Sequence, residues 1–536
     1  MRLFASVFAA FTVLFAIPAV AADWFRAETE HFIVYSEDSE RDSREFVQDL
    51  ERLDEVLRIL TGVGLDEDGL PESSKVTVFR FGETQDMSRL LAGNRNTGVG
   101  GFFIGRAHGS VAFVPRQQNR RRTRSAREAM DTDMQLDPKA TLFHEYVHYF
   151  MYQHRDAPYP LWYSEGFAEL FSNVQFEDDH FVIGEVPPWR SYSLTTISID
   201  LEDTFDPPGK RTRETTGRTY GHGWLIASHL NLNPERRGQM GTYMAAIAQG
   251  KSPMEAAEES FGDLEVLRRE LEEFRQGRAR VLNVPYAAAA DPEVNIRPLT
   301  EAETARMDLM INSKRGVDED NAPRLARDAR DLVGRYPQSE AVLLAATEAE
   351  FDARNYDEAE RLARRVIEIE PESTMAAIYL ADIALRQSHD DPSKLMEARS
   401  RFAAANQMET DHAYPLYGYY LTYLFDDGQP VPDNAKLALE SAFRYAPYDF
   451  AVRQALVHML LKENRPDEAR IVGASFFTGN AGGECMMRKK LEEYQAGDRE
   501  PLLEAVRPDH PGEHLDADAR EEEFEAEVEK YGCEVD

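Results

Sequence analysis

The sequence predicts an α+β domain followed by an all-α helical array. Two observations carry this. Between His31 and Val114, short apolar alternations flank one long segment with helical spacing, and two further helical segments follow. From about Pro298, strand signals fade, Ala, Leu, Glu and Arg dominate, and related segments return at a spacing of 34 residues. At 536 residues the chain is also too long for one ordinary domain.

Taken in order, Met1 to Ala22 has the pattern of a secretory signal peptide. Arg2 precedes a nearly unbroken apolar run from Leu3 to Val20, and Ala19-Val20-Ala21 supplies the small residues of a cleavage site. His31 to Ser36 reads as a strand. Ser39 to Leu60 reads as a helix through Phe46, Leu50, Leu53, Val56, Leu57 and Leu60, with Gly62 and Gly64 as stops. Lys75 to Phe81 alternates as a strand. Gly100 to Ile104 and Ser110 to Val114 form a hairpin turning near Gly105 to Gly109. Helices are expected over Lys139 to Tyr152 and from about Leu161 to Val174, joined across Pro158 and Pro160. The expected organisation is thus a signal peptide over 1–22, the α+β domain over 23–285, a linker over 286–300, helical repeats over 301–495 and an acidic tail over 496–536.

Acidic residues number 96 against 61 basic ones, for a formal net charge of −35. Such a surface repels phosphate backbones and anionic headgroups, so nucleic acid is not an expected partner. No segment after the signal is long and apolar enough for a stable membrane span, which makes the expected mature chain an exported one, periplasmic or secreted. In an oxidising compartment Cys485 and Cys533 are able to pair and tie the tail to the body. Two free thiols are the alternative.

The chemistry lies in His144-Glu145-Tyr146-Val147-His148. On a helix, residues four apart share a face, so both imidazoles can bind one cation. Glu145 then leans over the site and can accept the proton of a water held there. Chance produces the pattern in a chain of this length about one time in a hundred. The flanking Leu142, Phe143, Tyr149, Phe150 and Met151 bury the helix, and two core histidines one turn apart are costly without a shared partner. Such a site needs a third protein ligand. His154 is one candidate: it stands where the long metzincin motif, which this stretch resembles, has its third histidine, but that motif calls for a glycine where this chain has Met151. Glu165 is the other, in Trp162-Tyr163-Ser164-Glu165-Gly166-Phe167-Ala168-Glu169.

The paired strings, His-Glu-x-x-His and then Ser-Glu-Gly-Phe-Ala-Glu, resemble the gluzincin branch of the peptidase MA-like superfamily over roughly Trp24 to Arg280. That resemblance implies a zincin-type catalytic domain, a sheet with a metal helix and a second zinc helix, holding Zn2+. Its ligands would be His144, His148 and Glu165, its general base Glu145, and Glu169 would orient a ligand imidazole. It also implies a donor for the oxyanion. Tyr220, then His222, are the candidates in Arg218-Thr219-Tyr220-Gly221-His222-Gly223-Trp224. Gly166 would allow a second backbone to pass close. Trp162 and Trp224 are expected in the core or a pocket wall.

The second half resembles tetratricopeptide repeats. Asn355-Tyr356-Asp357-Glu358-Ala359 and Arg465-Pro466-Asp467-Glu468-Ala469 are equivalent helix entries. Tyr336-Pro337, Glu370-Pro371 and Ala446-Pro447 mark repeat ends, the last displaced by an eight-residue insertion. The resemblance implies a solenoid with a concave surface for a protein partner. The expectation for the whole is an exported zinc metallopeptidase acting on a peptide or protein substrate. The alternative is a catalytically inert adaptor.

Overall fold

The computed structural model describes residues 24–64, 70–93, 100–117, 137–155, 157–207, 212–278, 280–285, 291–426, 429–477, 482–514 and 517–533. The signal peptide read over 1–22 lies outside them.

The first half is built on a mixed six-stranded sheet, with strands β1 (Phe25–Glu28), β2 (Phe32–Ser36), β3 (Val76–Glu83), β4 (Phe102–Ile104), β5 (Val111–Gln117) and β9 (Asn295–Pro298). Their order is β4-β5-β3-β2-β1-β9. β2, β3 and β5 run parallel, while β1, β4 and β9 are antiparallel to their neighbours. Helix α1 (Glu40–Thr61) makes the crossover between β2 and β3. Ser39 caps it by accepting from the Asp42 amide at 3.2 Å, and Gly62, at φ 72°, closes it. The hairpin expected from Gly100 to Val114 is present, with Phe102 opposite Phe113 and Ile104 opposite Val111.

Helix α2 (Thr84–Ala92) follows β3. Helix α3 (Pro138–His154) carries the histidine motif. Asp137 accepts from the Lys139 and Ala140 amides, and Pro138 presets the first turn. Helix α4 (Leu161–Ser172) follows a short turn and packs beside α3. Leu142, Tyr146, Val147, Phe150, Trp162, Phe167 and Phe171 join Leu50, Leu53 and Leu57 of α1 and Val34 and Val78 of the sheet in one core. Trp162 and Trp224 are both fully buried in it.

Two features depart from the sequence reading. A small antiparallel sheet forms from β6 (Gln175–Phe176), β7 (His180–Ile183) and β8 (Leu282–Pro285). In addition, β9 falls within the segment read as a linker. Asn295-Ile296-Arg297-Pro298 is too short and polar to signal a strand, yet it pairs with β1 along its whole length. The first strand of the domain is thus covered by residues from just before the helical array.

The array is repeat-like. Helices α6 (Ala322–Arg335), α7 (Glu340–Asp352), α8 (Tyr356–Ile369), α9 (Thr374–Gln387), α10 (Lys394–Met408), α11 (Ala413–Leu424), α12 (Asp433–Tyr445) and α13 (Phe450–Lys462) pack each on the next. Helix α5 (Gly223–Leu232) belongs to the first half. Within the array α7 also meets α9, and α9 meets α11, as stacked helical hairpins require. The equivalent entries at Asn355 and Arg465 have equivalent backbones. Arg354 (φ 58°) and Asn464 (φ 59°) both turn left-handed, and the next amides return to Glu350 and Leu460 at 2.8 and 2.9 Å. The eight-residue excess falls between α9 and α10 and between α11 and α12. In the tail, α14 (Ala517–Lys530) packs near a helix over Gly482–Ala496. Cys485 and Cys533 are paired there, so the tail is tied to the body.

Among the described residues, no helix is long and apolar enough to cross a membrane.

Candidate metal centre

The antiparallel pair α3–α4 brings together three donors separated widely in sequence. His144 Nε2 stands 3.0 Å from Glu165 Oε2, His148 Nε2 stands 3.1 Å from His144 Nε2, and His148 Nε2 is 3.5 Å from Glu165 Oε2. Among the described residues this is the one group of three or more His, Cys, Asp or Glu side chains whose donors converge. In a tetrahedral N/O site with bonds near 2.0 Å, donors stand about 3.3 Å apart. The three separations bracket that value, so the residues fit a small cation. His144 is buried and the other two are partly open.

Glycines allow the two helices to be overlaid by a third. Gly166 of α4 lies directly on Gly223 at the head of α5, and Gly223 lies under the Trp162 carbonyl. Immediately before α5, residues Arg218–His222 form a π turn, which widens the backbone and carries both Tyr220 and His222.

A second layer orients the imidazoles. His148 Nδ1 is 3.0 Å from Ser164 Oγ. His144 Nδ1 is 3.4 Å from Glu169 Oε1, within ion-pair range although its geometry is not that of a hydrogen bond. Glu169 is wholly buried and held in turn. Trp189 Nε1 donates to its Oε2 at 2.8 Å, and Arg190 Nη2 pairs with its Oε1. The Arg190 guanidinium lies over the Tyr220 ring at 4.5 Å, and that ring stacks 6.2 Å from the ring of His144.

The electrostatics follow from this crowding. Burial opposes ionisation throughout. Against it, hydrogen bonds and charge from His144 and His148 hold the Glu165 carboxyl well below the usual carboxylate range. Burial works against a charged His144, but Glu165, Glu169 and Glu145 together raise it. For Glu145 burial wins over the pull of the two histidines, and its carboxyl is raised. Glu145 is half-buried and engaged by no hydrogen bond among the described residues, so its lone pairs are open to a water or substrate.

Of the residues singled out in the sequence, His144, Glu145, His148, Glu165, Glu169 and Tyr220 therefore lie around one point. His222 does not join them. It is fully buried, and its ring nitrogens face the Ser193 and Ile197 backbone without closing a hydrogen bond among the described residues. Burial, with Arg275 and Arg218 nearby, lowers it to about 4. His154 ends α3, which continues unbroken through Met151, and it packs on Phe150 at 4.5 Å, away from the converging donors. The motif gave no role to Ser164, although it sits beside Glu165. Trp189 and Arg190 lie in a single 3-10 turn, Pro188–Arg190, with no sequence pattern to mark them.

No family model matches the chain, and no curated protein does. Among solved structures the chain is similar to a thermophilic TPR protein of Thermus thermophilus. The identity is 17% and the TM-score 0.25, over 35% of this chain and 91% of that one. A superposition that loose assigns neither fold nor partner.

Proposed function

We propose that this chain is an exported, zinc-dependent hydrolase that cleaves peptide bonds in a peptide or protein substrate. The observation that supports it best is the convergence of His144 Nε2, His148 Nε2 and Glu165 Oε2 at separations of 3.0 to 3.5 Å, with Glu145 on the adjoining turn. Zinc is the ion that a site of two imidazoles and one carboxylate favours among available divalent metals.

Bound Zn2+ would supply Lewis acidity, making water acidic and a carbonyl electrophilic at this point. The residues of the chain do the rest. His144, His148 and Glu165 hold the ion. Ser164 and Glu169 fix the two rings with their Nε2 atoms turned inward. Glu145, raised by burial, takes a proton from the attacking water and passes it to the leaving amine. Tyr220, clamped by Arg190, donates to the oxygen on which negative charge develops.

The rival reading is an inert adaptor that works through its helical array. Metal content of the mature protein separates the two. Near-stoichiometric zinc in the wild type and in His154→Ala, lost in Glu165→Gln, supports the hydrolase and justifies a substrate search, with Glu145→Gln as the inactive control. A wild type that takes up no metal when zinc is supplied leaves the adaptor as the better account.

A further inference from the structure

The turn of the β4–β5 hairpin packs against the helical array, its tip buried there. Ala107 at its tip belongs to the same apolar cluster as Ala384, Phe402, Tyr417 and Leu456, and is 7% exposed. Its amide donates to Asp449 Oδ2 at 2.7 Å, while Asp449 Oδ1 caps α13 by accepting from the Val452 amide at 2.9 Å. The neighbouring His108 ring is wedged edge-on between Tyr379 at 5.3 Å and Tyr414 at 4.7 Å. On the other side of the turn, Arg106 donates to the Lys314 carbonyl at 3.2 Å. Tyr379 lies on α9, Tyr414 on α11, and Asp449 stands at the head of α13. Each is the first helix of a helical hairpin in the array. Of these, α9 stacks on α11, and α11 and α13 share with Ala107 one apolar cluster, so the β-hairpin enters the face of the array that they line together.

A second contact reaches the metal helix itself. Tyr448 packs against Gly105, where a side chain would put its Cβ 3.0 Å from the Tyr448 ring. The same ring lies 4.7 Å from Tyr149 of α3, the residue after His148. Tyr149 also meets Phe103 of edge strand β4 at 5.3 Å. One tyrosine of the array thus touches the hairpin stem and the turn of α3 that carries His148.

We propose that the groove of the helical array is the seat of the chain's own β4–β5 hairpin, and that Tyr448 is a positioning residue holding β4 and α3 in register. The array then braces the hairpin and α3 and does not offer an empty groove to an outside peptide. The functional meaning of this seat rests on the hydrolase reading above. Its test does not.

Amide hydrogen exchange in the full chain reads it directly. Tyr448→Ala should raise exchange at least tenfold both in residues 102–113 and in residues 146–151 of α3, with β1 and α8 unchanged. Tyr448→Phe, which keeps the ring, should change neither. Gly105→Val, which pushes on Tyr448 from the opposite side, should reproduce the alanine result. If the hairpin stays protected in Tyr448→Ala and Gly105→Val, the seat is refuted. If the hairpin loosens while α3 does not, the positioning role is refuted. Zinc affinity measured on the same samples should fall in Tyr448→Ala and not in Tyr448→Phe. A wild type without zinc would count against the hydrolase alone, since the exchange result stands on its own.

Discussion

A Cβ on Gly166 would lie 2.2 Å from the carbonyl carbon of Gly223. Helices α4 and α5 therefore cross backbone to backbone next to the residue that supplies the carboxylate of the centre. No rotamer relieves such a clash, because the obstacle is main chain on both sides. Overpacking of this kind costs about 3 kcal/mol. Gly166→Ala should lose that much stability in urea unfolding and should release metal, since any retreat of α4 carries Glu165 with it. An alanine variant of native stability would mean that the crossing is looser than these contacts indicate.

The layer behind the imidazoles gives a graded prediction. Ser164→Ala removes the partner of His148 Nδ1, and Glu169→Gln removes the charge facing His144 Nδ1. Neither touches the ion, so both variants should still bind zinc, but about 10- to 100-fold more weakly in chelator competition. Glu169→Gln should suffer more, because Arg190 then loses the buried carboxylate that pairs with it. Affinities equal to wild type in both would reduce Ser164 and Glu169 to packing residues.

The sequence made α1, β2, β3, the β4–β5 hairpin and the α3–α4 pair legible because each has a local signature. Apolar spacing, a Ser or Asp cap, and glycine or proline stops all act within a few residues. The converging donors were legible for the same reason, since i, i+4 spacing and a short antiparallel turn nearly determine their geometry. What stayed hidden depends on distant partners. β9 is a strand only because β1 offers it an edge. Trp189 and Arg190 matter only because Glu169 lies in front of them. The burial of Ala107 and the packing of His108 between two tyrosines of the array could not be read from a turn of small and polar residues, which signals solvent.

In sequence Tyr220 ranks ahead of His222 as the oxyanion donor, the two lying two residues apart on one motif. The π turn separates them. Tyr220 faces the ring of His144 under Arg190, and His222 points into the core. Once a substrate is found, Tyr220→Phe should lower kcat by about 100-fold, the effect of losing one donor to a developing oxyanion, with KM and zinc content little changed. His222→Ala should instead lower stability. Turnover surviving unchanged in Tyr220→Phe would exclude the hydroxyl from the reaction.

The array should be acid-sensitive, and His412 should carry a measurable share of the loss. His412 is buried and caps α11, its Nδ1 accepting from the Tyr414 amide at 3.2 Å. Protonation removes that acceptor and sets a positive charge at a helix N-terminus. Burial lowers His412 to about 4, and burial with Lys462 and Arg507 nearby does the same to His458. An unfolded histidine titrates near 6.5, so between these values the unfolded chain binds more protons than the native one. The stability from each group is complete above pH ~6.5. It declines as the pH falls, by about 1.4 kcal/mol per unit, until pH ~4. His412→Asn keeps a good cap without the titration. It should match wild type within about 1 kcal/mol at pH 7 and exceed it by about 2 kcal/mol at pH 5, read by urea unfolding at both values. Equal losses on acidification in the two proteins would show that His412 does not stay neutral in the native state.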